Sequence, residues 1–209
     1  TWHAVKGNTP RVQPPGPIAV PGRYQVQLTV AGHTYTQNFT LVNDPRVNVP
    51  QAGLDAQLAS ERAMTAGMGV SYEAFYQIDS MRKVLSTDLA SVRGRPNAAG
   101  ITAAASALDR QLATLADHGV GMANRDLARH LEDADFGDMP PTVSNLDATA
   151  ASCRGLDAAI IELHRVMTTS VPQLNAALRK AGLTVVPTYA APSGPVCGRQ
   201  PASIISLAS

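Results

Sequence analysis

The sequence predicts an α+β fold, with a small β-structured portion at the front and a bundle of helices behind it. Three observations carry this. Residues 21–46, PGRYQVQLTVAGHTYTQNFTLVNDPR, alternate apolar and polar side chains with a period of two, the mark of a half-buried strand. From Leu54 onward the apolar residues recur at steps of three and four, the mark of amphipathic helices. Between the two regimes stand Asp44-Pro45 and Pro50, which stop a sheet because proline donates no ladder hydrogen bond.

In the first regime Tyr24, Val26, Leu28 and Val30 alternate with Arg23, Gln25, Gln27 and Thr29. Ala31-Gly32-His33 supplies a turn, with Gly32 free to adopt positive φ. The return strand places Tyr35, Phe39 and Leu41 on the inward face, interrupted by Gln37, while Thr34, Thr36 and Thr40 suit a solvent-touching pleat. A lone hairpin is marginal in water, so further strands or a helix are required. Trp2–Val5 is the candidate third strand, reached by the Pro- and Gly-rich loop of residues 7–21. Residues 1–49 are therefore expected to form a partial immunoglobulin-like β-sandwich. The opening Thr1-Trp2-His3-Ala4-Val5 reads as mid-strand, and the sequence is expected to be a piece or processed product of a longer protein.

Residues 50–183 are expected to form an antiparallel bundle of three to four helices. Leu54, Leu58, Met64, Met68, Tyr72, Phe75, Ile78, Leu85, Leu89 and Val92 predict one long helix to about Arg93, ended by Gly94 and Pro96. Gly67 and Gly69 weaken its middle by about 1 kcal/mol each relative to alanine and mark a bend or a tight helix contact. A second helix covers about 97–117, with Ile101, Leu108, Leu112 and Leu115 inward, and is expected to break at His118-Gly119-Val120-Gly121. A short third helix covers about 122–132. The stripe Leu146, Cys153, Leu156, Ile160, Leu163, Met167, Leu174 and Leu178 predicts the fourth. Thr142 or Ser144 is its N-cap and Gly182 its stop; Pro172 must kink it or restart it, with Ser170 as the second cap. Residues 184–209 read as an extended or disordered tail.

Composition bounds the function. Hydrophobic residues make up 44% of the chain, aromatics 4% and charged residues 16%, which fits closely packed Ala- and Leu-rich helices. The net charge is +1 with no basic block, so the electrostatic footprint of a nucleic-acid binder is missing. No apolar run approaches the roughly 18 residues of a membrane span.

No residue pattern nominates a catalytic, cofactor-binding or metal site. His3, His33, His118, His130 and His164 include no pair at i, i+4. The acidic loop Glu132, Asp133, Asp135 and Asp138 fails the order of a calcium-binding loop, and its carboxylates read as turn caps. No nucleophile elbow, SxxK or phosphate-binding loop is present. Cys153 and Cys197 lack metal-ligand spacing; Cys153 is either a small buried apolar residue or the partner of Cys197 in a disulfide that would pin the tail in an oxidising compartment.

Four local motifs resemble the C-terminal region of bacterial sortilin-like BNR-repeat proteins, β-propeller proteins labelled glycosyl-hydrolase-like. They are Thr1-Trp2; the hairpin Pro21-Gly22-Arg23-Tyr24-Gln25-Val26-Gln27-Leu28-Thr29-Val30 with Gly32 and Thr34-Tyr35-Thr36-Gln37; the junction Asp44-Pro45-Arg46-Val47; and the helix signatures Asn124-Arg125-Asp126-Leu127-Ala128 and Val171-Pro172-Gln173-Leu174-Asn175-Ala176-Ala177-Leu178. The resemblance implies a secreted or periplasmic, non-catalytic module that assembles or anchors a β-propeller of the same or a neighbouring chain, with other envelope proteins as further partners. Two alternatives accompany it: a glycan-active hydrolase, with a site around Arg46, Tyr72 and Tyr76 or in a part upstream of this chain, and a cell-envelope subunit that docks through its tail.

Overall fold

The computed structural model describes residues 16–92, Gly94, 97–190 and 196–198. The candidate third strand at Trp2–Val5 and the last residues of the tail lie outside the described residues. A two-stranded antiparallel sheet, β1 (Gly22–Val30) and β2 (His33–Leu41), precedes three long helical rods.

The first rod is α1, Gln51–Ser91, 41 residues long. Pro50 starts it from extended backbone, where its missing N–H costs nothing, and its carbonyl accepts from Gly53 and Leu54. The second rod joins α2 (Ala98–Thr114) to α3 (Gly121–Ala134) through a π-helical turn, Leu115–Val120. The expected break at 118–121 is therefore a wide turn and not an interruption. Gly121 donates its N–H to the Ala116 carbonyl five residues back, and a Cβ at this position would lie 2.1 Å from that oxygen. Glycine makes the widened turn sterically available, and the rod continues through it.

The third rod joins α4 (Val143–Arg165) to α5 (Val171–Lys180) through a second π turn, Val166–Ser170. Thr142 caps it, its Oγ1 accepting from the Asn145 N–H at 3.1 Å. Pro172 neither restarts the helix nor uses Ser170 as a cap: Ser170 has helical dihedrals and makes no capping bond. Proline lacks an N–H and crowds the carbonyl four residues back, and the widened turn just ahead of it lets the helix pass. Gly182, at φ +66°, closes the rod with paired bonds from Gly182 N–H to the Arg179 carbonyl and Leu183 N–H to the Leu178 carbonyl.

The rods share one core in which Met64, Met68, Ile78, Leu85, Leu112, Leu127, Leu156, Leu163, Val171 and Leu178 are buried. Contacts fix the direction of packing. Arg82 meets Asp109, Asn124 Nδ2 donates to Ser71 Oγ and the Met68 carbonyl, and Gln57 meets Ala134. As one number rises the other falls, so the second rod runs back along the first. Leu146, expected on the inward stripe of the third rod, is exposed.

The described tail does not leave the helices. Asn175 holds Val186 with two bonds of 2.8 Å, Tyr189 Oη donates to Ser80 Oγ at 2.9 Å, and Val196 is buried with its N–H donated to Asp157 Oδ1. Cys197 is joined to Cys153 by a disulfide that closes a 44-residue separation. The described part of the tail, residues 184–190 and 196–198, lies along the helices as a strap.

Candidate interaction surface

The hairpin is built by its own sequence. Ala31 and Gly32, at φ +50° and +80°, form a two-residue turn of the primed kind, whose twist matches that of the flanking strands. The register pairs Tyr24 with Phe39, Val26 with Gln37, Leu28 with Tyr35 and Val30 with His33. Period two puts these eight side chains on one face. On the other face Gln25 Nε2 donates to Asn38 Oδ1 and the Thr29 and Thr34 hydroxyls meet at 3.1 Å.

The polar face suits solvent, and the apolar face is exposed. Leu28 is 60% exposed, Tyr35 63%, Val30 54% and Val26 52%, and Phe39 is half-exposed beside the stacked ring of Tyr24. Among the described residues no second sheet and no helix covers them. Among the described residues the sheet has two strands, so neither long edge of the pair is covered by another described strand.

The base of the hairpin is anchored. Glu61 of α1, 1% exposed, accepts the Ile18 N–H on Oε2 at 3.0 Å, while its Oε1 is buried without a partner. Burial pushes the Glu61 carboxyl above its usual value, against the Ile18 N–H and Gln57, which favour the charged form; the charge of Asp135 adds to the rise. A cavity of about 350 Å³ lies here between Ile18–Pro21, the end of β2, and Leu54, Leu58 and Glu61 of α1. Gln57 holds the neighbouring loop, donating to the Ala134 and Gly137 carbonyls and accepting from Met139 N–H. Gln57 and Glu61 both lie on the face of α1 that carries Leu54, Leu58, Met64 and Met68, at steps of three and four from them, and that spacing is the signal that could have flagged them.

The structure separates the residues grouped for a hydrolase. Arg46 is held by Asp44, whose carboxyl the guanidinium keeps below its usual value. The Tyr72 and Tyr76 rings meet at a tilt of 51° with centroids 4.5 Å apart, and Tyr76 raises the Tyr72 phenol. Tyr72 lies 21 residues into α1, about 32 Å along its axis, whereas the five residues from Arg46 to Gln51 reach about 18 Å. The two backbones therefore stay at least about 14 Å apart.

Of the histidines, His130 meets Ser152 Oγ at 3.3 Å through Nε2, His33 follows the hairpin turn, His118 lies in the π turn and His164 in the last turn of α4. His3 lies outside the described residues. Among the described residues no group of three or more His, Cys, Asp or Glu is arranged to hold a metal ion, and no helix is long and apolar enough to cross a membrane. A scan against protein-family models finds no match, and comparisons with curated proteins and with solved structures find no relative.

Proposed function

We propose that this chain is a non-catalytic structural and interaction module of a larger secreted or periplasmic β-propeller protein, in which the hairpin completes an immunoglobulin-like β-sandwich and the antiparallel helical bundle assembles or anchors the propeller. The observation that carries the reading is the apolar face of the hairpin, which no described residue covers. Two strands of nine residues make a face about 30 Å long and about 10 Å wide, or roughly 300 Å². A stable complex between free partners buries about 800 Å² on each side. A face this small is held by a partner already tethered to it, where the effective concentration reaches the millimolar range. A sandwich partner on the same polypeptide meets that condition. The Cys153–Cys197 disulfide supports an oxidising compartment.

Hydrogen exchange tests this. In the chain alone, amides of β1 and β2 are expected to exchange near the unprotected rate while those of α1 and α4 are protected. Joined to the polypeptide that carries the remaining sandwich strands, the same hairpin amides should slow by orders of magnitude. Hairpin protection equal to that of the helices in the chain alone would remove the need for a partner and the proposal with it.

A further inference from the structure

The two described parts of the tail strap are held by different means. In the first part a buried side chain of α5 grips the backbone. Asn175 Nδ2 donates to the Val186 carbonyl and Asn175 Oδ1 accepts the Val186 N–H, both at 2.8 Å. Val186 is itself buried, and Tyr189 adds its hydrogen bond to Ser80 Oγ. The second part is the short turn Val196–Gly198. It lies against α1 and α4 with one buried side chain, Val196. Among the described residues one hydrogen bond ties it to the helices, from the Val196 N–H to Asp157 Oδ1 at 3.2 Å.

The other tie is covalent, from Cys197 to Cys153 of α4. Cys197 Sγ stands 3.0 Å from the place a Cβ would take at Gly67, and Leu127 and Leu156 close the same notch. Without the S–S bond, one valine and one hydrogen bond would have to offset the entropy of every residue the turn immobilises. Ordering a single residue already costs about as much as a hydrogen bond returns, so the balance goes against the turn. The first part differs. Its release would leave the buried Asn175 amide without partners, and that penalty keeps it in place. Both cysteines are partly exposed.

We propose that the Cys153–Cys197 disulfide is a redox latch: reduction by a dithiol releases the Val196–Gly198 turn and uncovers the notch at Gly67, while the three rods and the strap at Val186 and Tyr189 stay in place. A thiolate of the dithiol attacks one sulfur of the bridge, forming a mixed disulfide, and the other cysteine leaves and takes up a proton. The second thiolate of the dithiol then displaces the first cysteine, which is protonated in turn. The chain gains two electrons and two protons, and the dithiol departs as its own disulfide. The latch goes beyond the β-propeller reading and does not depend on it.

The test is hydrogen exchange on the full chain in native buffer, oxidised and after dithiothreitol, with iodoacetamide to trap the thiols. Dithiothreitol without denaturant is expected to make both cysteines alkylatable while far-UV circular dichroism stays unchanged. In the reduced chain the Val196 amide should lose its protection, and the amides of α1, α4 and Val186 should keep theirs. Cys197→Ser should show the same open turn with no reductant present. A Val196 amide still protected in the reduced, folded chain would mean that the turn holds without the bond, and would overturn the latch. Helix protection lost together with that of Val196 would make the bond a staple of the whole fold and overturn it equally. Thiols that appear only in denaturant would overturn it as well.

Discussion

Two glycines on the same helix, two residues apart, are expected to respond differently to alanine. Alanine in a helix interior is favoured over glycine by about 1 kcal/mol. At Gly69 no atom lies within 4 Å of the added Cβ, so Gly69→Ala should keep that gain. At Gly67 the Cβ would stand 2.7 Å from Leu127 Cδ1, 3.0 Å from Cys197 Sγ and 3.6 Å from Leu156 Cδ2. Leu127 is fully buried and Cys197 is tied to Cys153, so neither yields freely. Overpacking of this kind costs about 1–3 kcal/mol, which cancels or exceeds the propensity gain. The two variants should therefore differ by about 1–3 kcal/mol, Gly69→Ala being the more stable. Urea unfolding followed by far-UV circular dichroism reads the difference as a shift in midpoint at constant slope. The clash also involves a disulfide sulfur, so a Cys153→Ala/Cys197→Ala background should relieve part of the Gly67→Ala penalty, a coupling that a double-mutant cycle measures. Equal midpoints for the two glycine variants would refute the claim that Gly67 is the notch into which the tail fits.

Two further outcomes follow from the strap and from Glu61. Closing a 44-residue loop stabilises the fold by about 4 kcal/mol in the chain-entropy account. Reduction, or Cys153→Ser with Cys197→Ser, should therefore lower the melting temperature by about 8–16 °C in a chain of this size, and a drop under about 2 °C would show the strap to be idle. The raised Glu61 carboxyl means that the folded protein keeps this proton to higher pH than the unfolded chain does. Its contribution is most favourable at acid pH and is lost as pH rises from the ordinary value of 4.5 through the raised one. Glu61→Gln keeps an oxygen for the Ile18 N–H and removes the titration. It should be more stable than the parent at pH 7 and flatten that limb of the stability profile; a profile parallel to the parent's would show that Glu61 is not its source.

What was legible in the sequence is what depends on local periodicity and turn chemistry. The period-two pairs from Tyr24 to Leu41 gave the hairpin, and Gly182 and Thr142 marked helix ends that the structure places at the same residues. The stripes identified Met64, Met68, Ile78, Leu156, Leu163 and Leu178 as core. Illegible were features decided by a single backbone shift or a distant partner. Glycine and proline read as helix breakers, yet at Gly121 and Pro172 a π turn keeps the rod continuous because one extra residue per turn relocates the troublesome carbonyl. Gln57, Glu61, Asn124 and Asn175 interrupt apolar stripes as polar residues, and what they bond to, 11 to 82 residues away, is seen only in the structure. Cys153 left two readings open, and only the return of the tail brings Cys197 to it.

The hairpin shows how far period two reaches. Alternation specifies which side chains share a face, and it says nothing of whether that face is covered within the same chain. The local terms here are adequate to form the turn: two positive-φ residues, a Tyr24–Phe39 stack and threonine and amide pairs on the far face. They are inadequate to make a free-standing two-stranded sheet stable. The bundle supplies a grip at the base through Glu61 and Ile18, and Tyr24 Oη reaches the Val20 carbonyl, but along Val26, Leu28, Val30 and Tyr35 nothing among the described residues repays the exposed area. A solvent-adapted hairpin would be polar on both faces. One with a polar face turned to water and an apolar face that no described residue covers is what the proposed sandwich reading requires, and the grip at its base is where hydrogen exchange would first show protection.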